Sequence, residues 1–154
     1  MRFEFRIVKR SFFVIVAFGL LCPSLSWAQL GQSEESTVRQ WHSLNLQKAE
    51  THSARRFHYK QLSSDNLVVK QYVNPNTKTV FGVTWQGTSM PNLLDLLGFD
   101  PQKVIGPSVR SLHYMSIRTD SLRIEMITIM GHYTGSAVRT DLLPKGVPAS
   151  EVTP

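Results

Sequence analysis

Two periods alternate along the chain. From Phe57 to Leu62 apolar and polar residues alternate, which predicts a strand. Ser63-Ser64-Asp65 then supplies turn chemistry. Leu67, Val69 and Val73 share one face of the next strand, with Lys70 and Asn74 on the other. Asn74-Pro75-Asn76-Thr77 closes a hairpin into a third strand, Thr79 to Trp85, on which Phe81, Val83 and Trp85 are expected on one face. Gly82 inside that strand predicts a bulge or a close neighbour. Leu112–Ile117, Leu122–Met126 with Ile127–Met130, and His132–Arg139 form a second group of strands.

Helical spacing occupies two other places. Val38, Trp41 and Leu44 predict a helix over Glu34–Lys48, packed on the sheet through Trp41, and Thr51–Arg56 follows as a linker. Pro91 to Ile105 predicts two short helical pieces meeting at a corner. Gly98 ends the first, and Asp100-Pro101 starts the second. Leu94 and Leu97 are both expected to be buried against the sheet. The expected fold is therefore α+β: an antiparallel sheet of about six strands covered by two helical segments.

An internal echo strengthens that layout. His58-Tyr59, Asp65 and Leu67 recur as His113-Tyr114, Asp120 and Leu122, at a constant offset of 55. This suggests a tandem helix–βββ repeat, in which each Asp bonds the backbone of its turn. The layout resembles the repeats of PepSY-type domains and of secreted beta-lactamase inhibitor proteins, an analogy of architecture that carries no function.

The first 28 residues change the picture of compartment. Arg2, Arg6, Lys9 and Arg10 precede an apolar run, Ser11 to Leu21, and Ser26-Trp27-Ala28 places small residues where signal peptidase reads. The run falls short of the ~20 residues a bilayer span needs. Residues 1–28 are expected to be a signal peptide, 29–140 a single α+β domain and 141–154 a C-terminal tail. The lone cysteine, Cys22, follows Leu21 rather than a small residue, so it is not a lipid-attachment site, and the mature chain has no disulfide. Of 17 basic and 11 acidic residues, 13 and 10 remain after cleavage, a net charge of +3 without a clustered basic face. Nucleic acid is not an expected partner, and no stable membrane anchor remains.

A resemblance runs along the mature chain. Lys70-Gln71-Tyr72-Val73, Val80 to Gly87, Pro91-Asn92-Leu93 and Leu96-Leu97-Gly98 stand in the order found in the bacterial domain-of-unknown-function family 2844. Ser121-Leu122-Arg123-Ile124, Gly135-Ser136-Ala137 and Leu143 to Val147 follow in the same order. The resemblance implies an exported bacterial protein and supplies no activity and no site residues.

The residues themselves offer no catalytic, cofactor or metal site. His42, His52, His58, His113 and His132 form no ligand pair at close spacing, and only the echo would bring His58 near His113. Thr134-Gly135-Ser136 is not a nucleophile elbow. Asp65 and Asp120 sit in turns rather than in a cleft. Phosphate loops are absent. The functional expectation is a non-catalytic periplasmic or secreted interaction module whose partner is unknown, another exported protein being one candidate. Its candidate docking aromatics are Tyr72, Phe81 and Trp85. The alternative is a small-ligand carrier or enzyme with a pocket between helix and sheet.

Overall fold

The computed structural model describes residues 30–34, 46 and 48–154. They form a nearly all-β protein built on one eight-stranded antiparallel sheet. The strands are β1 (Lys48–Ser53), β2 (His58–Ser63), β3 (Leu67–Asn74), β4 (Thr79–Gly87), β5 (Ser108–Arg110), β6 (Tyr114–Arg118), β7 (Leu122–Ile129) and β8 (His132–Arg139). Their order across the sheet is β1-β2-β3-β4-β8-β7-β6-β5. Two four-stranded meanders therefore meet where β8 returns beside β4.

This overturns the α+β expectation. Among the described residues the helical pieces are α1 (Leu93–Leu97) and three short 3₁₀ turns. The helix expected over Glu34–Lys48 falls mainly outside the described residues. At its ends, the Glu34 N–H donates to the Lys78 carbonyl at 2.9 Å, and Lys48 already begins a strand. The two added strands are the sheet edges. β1 carries Glu50, His52 and Ser53, and β5 has three residues, so neither has an apolar stripe for a periodicity to reveal. Polar or very short edges also protect a sheet from pairing with other chains.

The tandem helix–βββ layout is corrected with it, since each group holds four strands, β1–β4 and β5–β8, rather than three. The two hairpins do share a register. Leu62 faces Val69 across β2–β3, and Ile117 faces Ile124 across β6–β7. Their turns are closed by the Ser64 and Thr119 N–H groups, which donate to the Leu67 and Leu122 carbonyls, both at 2.8 Å. The Thr119 hydroxyl also accepts from the Leu122 N–H at 3.0 Å. These turns use hydroxyl residues where the aspartates were expected to act. The third strands then diverge, because β3–β4 turns through residues 75–78 and β7–β8 through 130–131.

Each face has its own core. On the first, Arg110, Met115, Met126, Gly135, Trp85, Val69, Leu62 and Ala49 form one row across all eight strands. The apolar residues around this row pack beneath Leu96 and Leu97 of α1, with Leu30 and Leu46. The second face holds Tyr72, Phe81, Val138 and Val152. A bulge decides the side Phe81 takes. Tyr72 faces Gly82 but Val73 faces Val80, so Phe81 is the extra residue of β4. One inserted residue reverses a period-2 pattern, which sends Phe81 to the face opposite Val83 and Trp85. Gly82 follows directly. A Cβ there would lie 2.8 Å from Cγ1 of Val152, so both reasons for a glycine hold.

At the corner after β4, Gly98 and Asp100-Pro101 act as predicted, while α1 starts at Leu93, after Pro91. The Asn92 side chain accepts from the Leu94 N–H at 3.0 Å. Gly98, at φ 80°, closes α1 by donating to the Leu94 carbonyl. The Asp100 carboxylate accepts from the Gln102 N–H at 2.9 Å ahead of Pro101. Leu97 is fully buried, whereas Leu94 is 53% exposed, which corrects half of the burial expectation. Leu97→Ala should therefore cost roughly 2–5 kcal/mol, and Leu94→Ala should stay within about 0.5 kcal/mol of wild type. Paired urea melts check both.

Candidate functional site

A concavity lies between α1 and the sheet. At the end of β4 the chain passes tightly against the β2–β3 turn. A Cβ on Gly87 would lie 2.1 Å from the Asn66 carbonyl oxygen, so only glycine fits there. The same carbonyl accepts from the Thr88 and Ser89 N–H groups. The chain then crosses the first face as Met90, buried Pro91 and α1. Because Leu96 and Leu97 turn into the core, Leu93 and Leu94 are left to line a groove. Met115 and Met126, cross-strand partners on β6 and β7, also line it, and Asp100, Pro101 and Gln102 complete the lining. The groove encloses about 440 Å³ and opens to solvent.

Three of the five methionines, Met90, Met115 and Met126, come together there from separate parts of the chain. Methionine is unbranched and polarisable, so a surface lined by it adapts to apolar shapes. Of its polar side chains, Asn92 and Asp100 each cap a backbone N–H group through one oxygen, and Gln102 is exposed.

The ionisable clusters lie elsewhere and fasten the fold. The Glu34 carboxylate sits 2.8 Å from Lys60 and 3.3 Å from His58. The Lys60 hydrogen bond, chiefly, holds that carboxyl below the usual range despite its partial burial. On the second face, burial pushes Glu125 up. Hydrogen bonds from Arg118 and Arg123, each at 2.9 Å, more than offset this, and its pKa is lowered. The bidentate pair of Arg139 with Asp141 lowers that aspartate in turn, its hydrogen bonds being the main cause.

The residues weighed for chemistry stay apart. His58 lies on β2 and His113 just before β6, with β3, β4, β8 and β7 between them. His52 stacks on Tyr59 at 4.9 Å, and His132 starts β8. His42 falls outside the described residues. Among the described residues no three His, Cys, Asp or Glu are grouped so as to hold a metal ion. Thr134-Gly135-Ser136 runs through the middle of β8, and Asp65 and Asp120 are exposed in their turns. Tyr72, Phe81 and Trp85, expected as docking aromatics, are all buried. Sequence reasoning missed the methionine groove. Met115 and Met126 are neighbours only through the β6–β7 register, which periodicity does not supply.

The fold and its groove define an almost all-β protein with an open, thioether-lined apolar cleft on a single antiparallel sheet. Residues 26–152 match the family model described as protein of unknown function (DUF2844), and the chain belongs to that family. No curated protein and no solved structure matches it.

Proposed function

We propose that this is an exported binding module, periplasmic or secreted, which takes an apolar segment of another exported protein into the groove between α1 and the sheet. The observation that carries the reading is the groove's composition. Three methionines and two leucines line it, Met90 and Leu94 remain partly exposed, and Asn92 and Asp100, two of its three polar side chains, act as caps. Small-ligand sites usually add a few convergent polar groups that fix orientation. The second reading, a small-ligand carrier or enzyme, draws support from the groove's position between helix and sheet and from its size.

Export is supported by the basic start, the apolar run and the small residues before Gln29. Leu30, just past the proposed cleavage point, is buried, and the Gly31 N–H donates to the Val80 carbonyl at 2.8 Å. One experiment tests both parts. A photo-crosslinking amino acid is placed at Leu94, or at exposed Lys145 as control, and the protein is recovered from the periplasm and medium of its own host for intact-mass analysis. The expected result is a chain beginning at Gln29 and a protein adduct formed from position 94 alone. A chain still containing Phe12 to Leu25 would refute export. Equal or absent adducts would refute the groove as a protein site, and a bound small molecule in native mass spectra would favour the second reading.

A further inference from the structure

We propose that the tip of the β7–β8 hairpin, together with the neighbouring bend at Leu112, is a lipid-contact surface that enters the interfacial layer of a phospholipid bilayer. The site is separate from the groove, and the inference goes beyond the function proposed for it.

The first observation is a broken local rule. Ile129 and His132 close the hairpin through Met130 and Gly131, whose φ values are 48° and 78°. Both central residues of this turn are left-handed. Glycine suits the second position, and asparagine, aspartate or glycine suits the first. A methionine there crowds its own backbone and has no short polar side chain to bond locally. It is also 97% exposed, so it gains no packing in the fold. Asn-Gly would fold better and be more soluble. A strained and fully exposed apolar residue points to a role outside folding.

The second observation is what surrounds it. Ile127 and Ile129 are exposed on the same hairpin, and Leu112 is 87% exposed in the adjoining bend. The Thr128 N–H donates to the His113 carbonyl at 2.9 Å, which sets the bend beside the hairpin. The apolar side chains thus form one projecting end rather than scattered singles.

The third observation selects the occupant by charge. Residues 111–114 and 127–134 contain no Asp, Glu, Lys or Arg, and they supply Tyr114, Tyr133, His113 and His132 as a collar. Protein interfaces usually carry a polar rim around an apolar centre. An apolar apex with tyrosines behind it suits the boundary between headgroups and acyl chains. The charged residue next to the bend is Arg110, and Glu125, the nearest acid along β7, already lies between Arg118 and Arg123. Neither stretch carries a carboxylate of its own. No helix among the described residues is long and apolar enough to cross a membrane.

The test compares the protein recovered from its host with Met130→Asn, Ile129→Thr/Met130→Asn and Ile105→Thr, each with its N-terminus determined by mass. Ile105 is as exposed as Met130 but lies beyond the opposite end of β5, so it controls for general stickiness. Vesicles of phosphatidylethanolamine and phosphatidylglycerol are floated with each protein. The expected result is co-flotation of wild type, a loss of about tenfold or more in partitioning for the double variant, and no change for Ile105→Thr. Met130→Asn should also raise the thermal midpoint, which separates lost binding from misfolding. Equal partitioning of wild type and the double variant would overturn the proposal, as would an equal loss in Ile105→Thr. Lipid-free self-association that Met130→Asn abolishes would overturn it too, by making a second copy the occupant.

Discussion

Replacing Trp85 by alanine should lower the unfolding free energy by roughly 3–5 kcal/mol. The indole is fully buried at the junction of the two meanders, facing Val69 on β3 and Gly135 on β8. The ring lies over Gly135: a Cβ on that glycine would fall 2.3 Å from Cζ2 and 2.5 Å from Cε2. One side chain therefore fills the space of two positions, and its removal opens a cavity across the seam rather than beside one strand. The indole N–H has no partner among the described residues. A buried donor without a partner is costly, so Trp85→Phe should lose much less than the alanine variant.

Gly135→Ala probes the same contact from the other side. Its methyl would meet the ring and also the Glu125 carbonyl oxygen, at 2.9 Å. The backbone oxygen cannot swing away, so the variant should cost about 1–3 kcal/mol or more. Combining it with Trp85→Ala should cost less than the two changes added together, since the smaller residue makes room for the methyl. Urea melts of the four proteins give that coupling energy directly. Additive costs would show that the ring does not constrain Gly135.

The legible parts of this fold were those decided by local chemistry. The corner from Asn92 to Gln102 follows from its caps and its glycine. The apolar faces of β2, β3 and β7 follow from alternation. What could not be read depends on pairing partners. β1 and β5 are strands because a neighbour offers backbone groups, not because their side chains alternate. The face taken by Phe81 depends on a single inserted residue, visible beforehand only as a glycine within a strand. The groove depends on the β6–β7 register and on which leucines of α1 turn inward. Leu94 and Leu97 lie three positions apart, close to one helical turn, and yet only one is buried, because a five-residue helix touches the sheet along a narrow line.

Deleting Val147 to Pro154 should have the second large effect, on the order of 3–5 kcal/mol from the apolar area it uncovers. These residues close the second face. Val147 and Val152 are buried, and Val152 occupies the space that a side chain at Gly82 would need. The Tyr72 hydroxyl donates to the Thr153 carbonyl at 2.6 Å. Asn74 donates to the Leu142 carbonyl at 3.3 Å, and the Arg56 guanidinium donates to the Gly146 carbonyl. Beneath them Tyr72 lies among Phe57, Tyr59 and Phe81, with ring centres 5.5–6.2 Å away. The segment expected as a tail is thus packed on the sheet through its own valines. A spectroscopic signature separates this role from a general weakening. Burial, chiefly, raises the Tyr72 pKa above its ordinary value, and the bond to the Thr153 carbonyl is one that only the neutral phenol can donate. A raised tyrosine pKa contributes stability that is fully present below the unfolded value of about 10 and is lost as pH rises through the folded value. The full chain should therefore lose stability above that pH, and the truncated chain should lose less. Ultraviolet titration should find Tyr72 ionising at lower pH after truncation, whereas an unchanged titration and melting midpoint would show that Val152 and Thr153 do not cover the face.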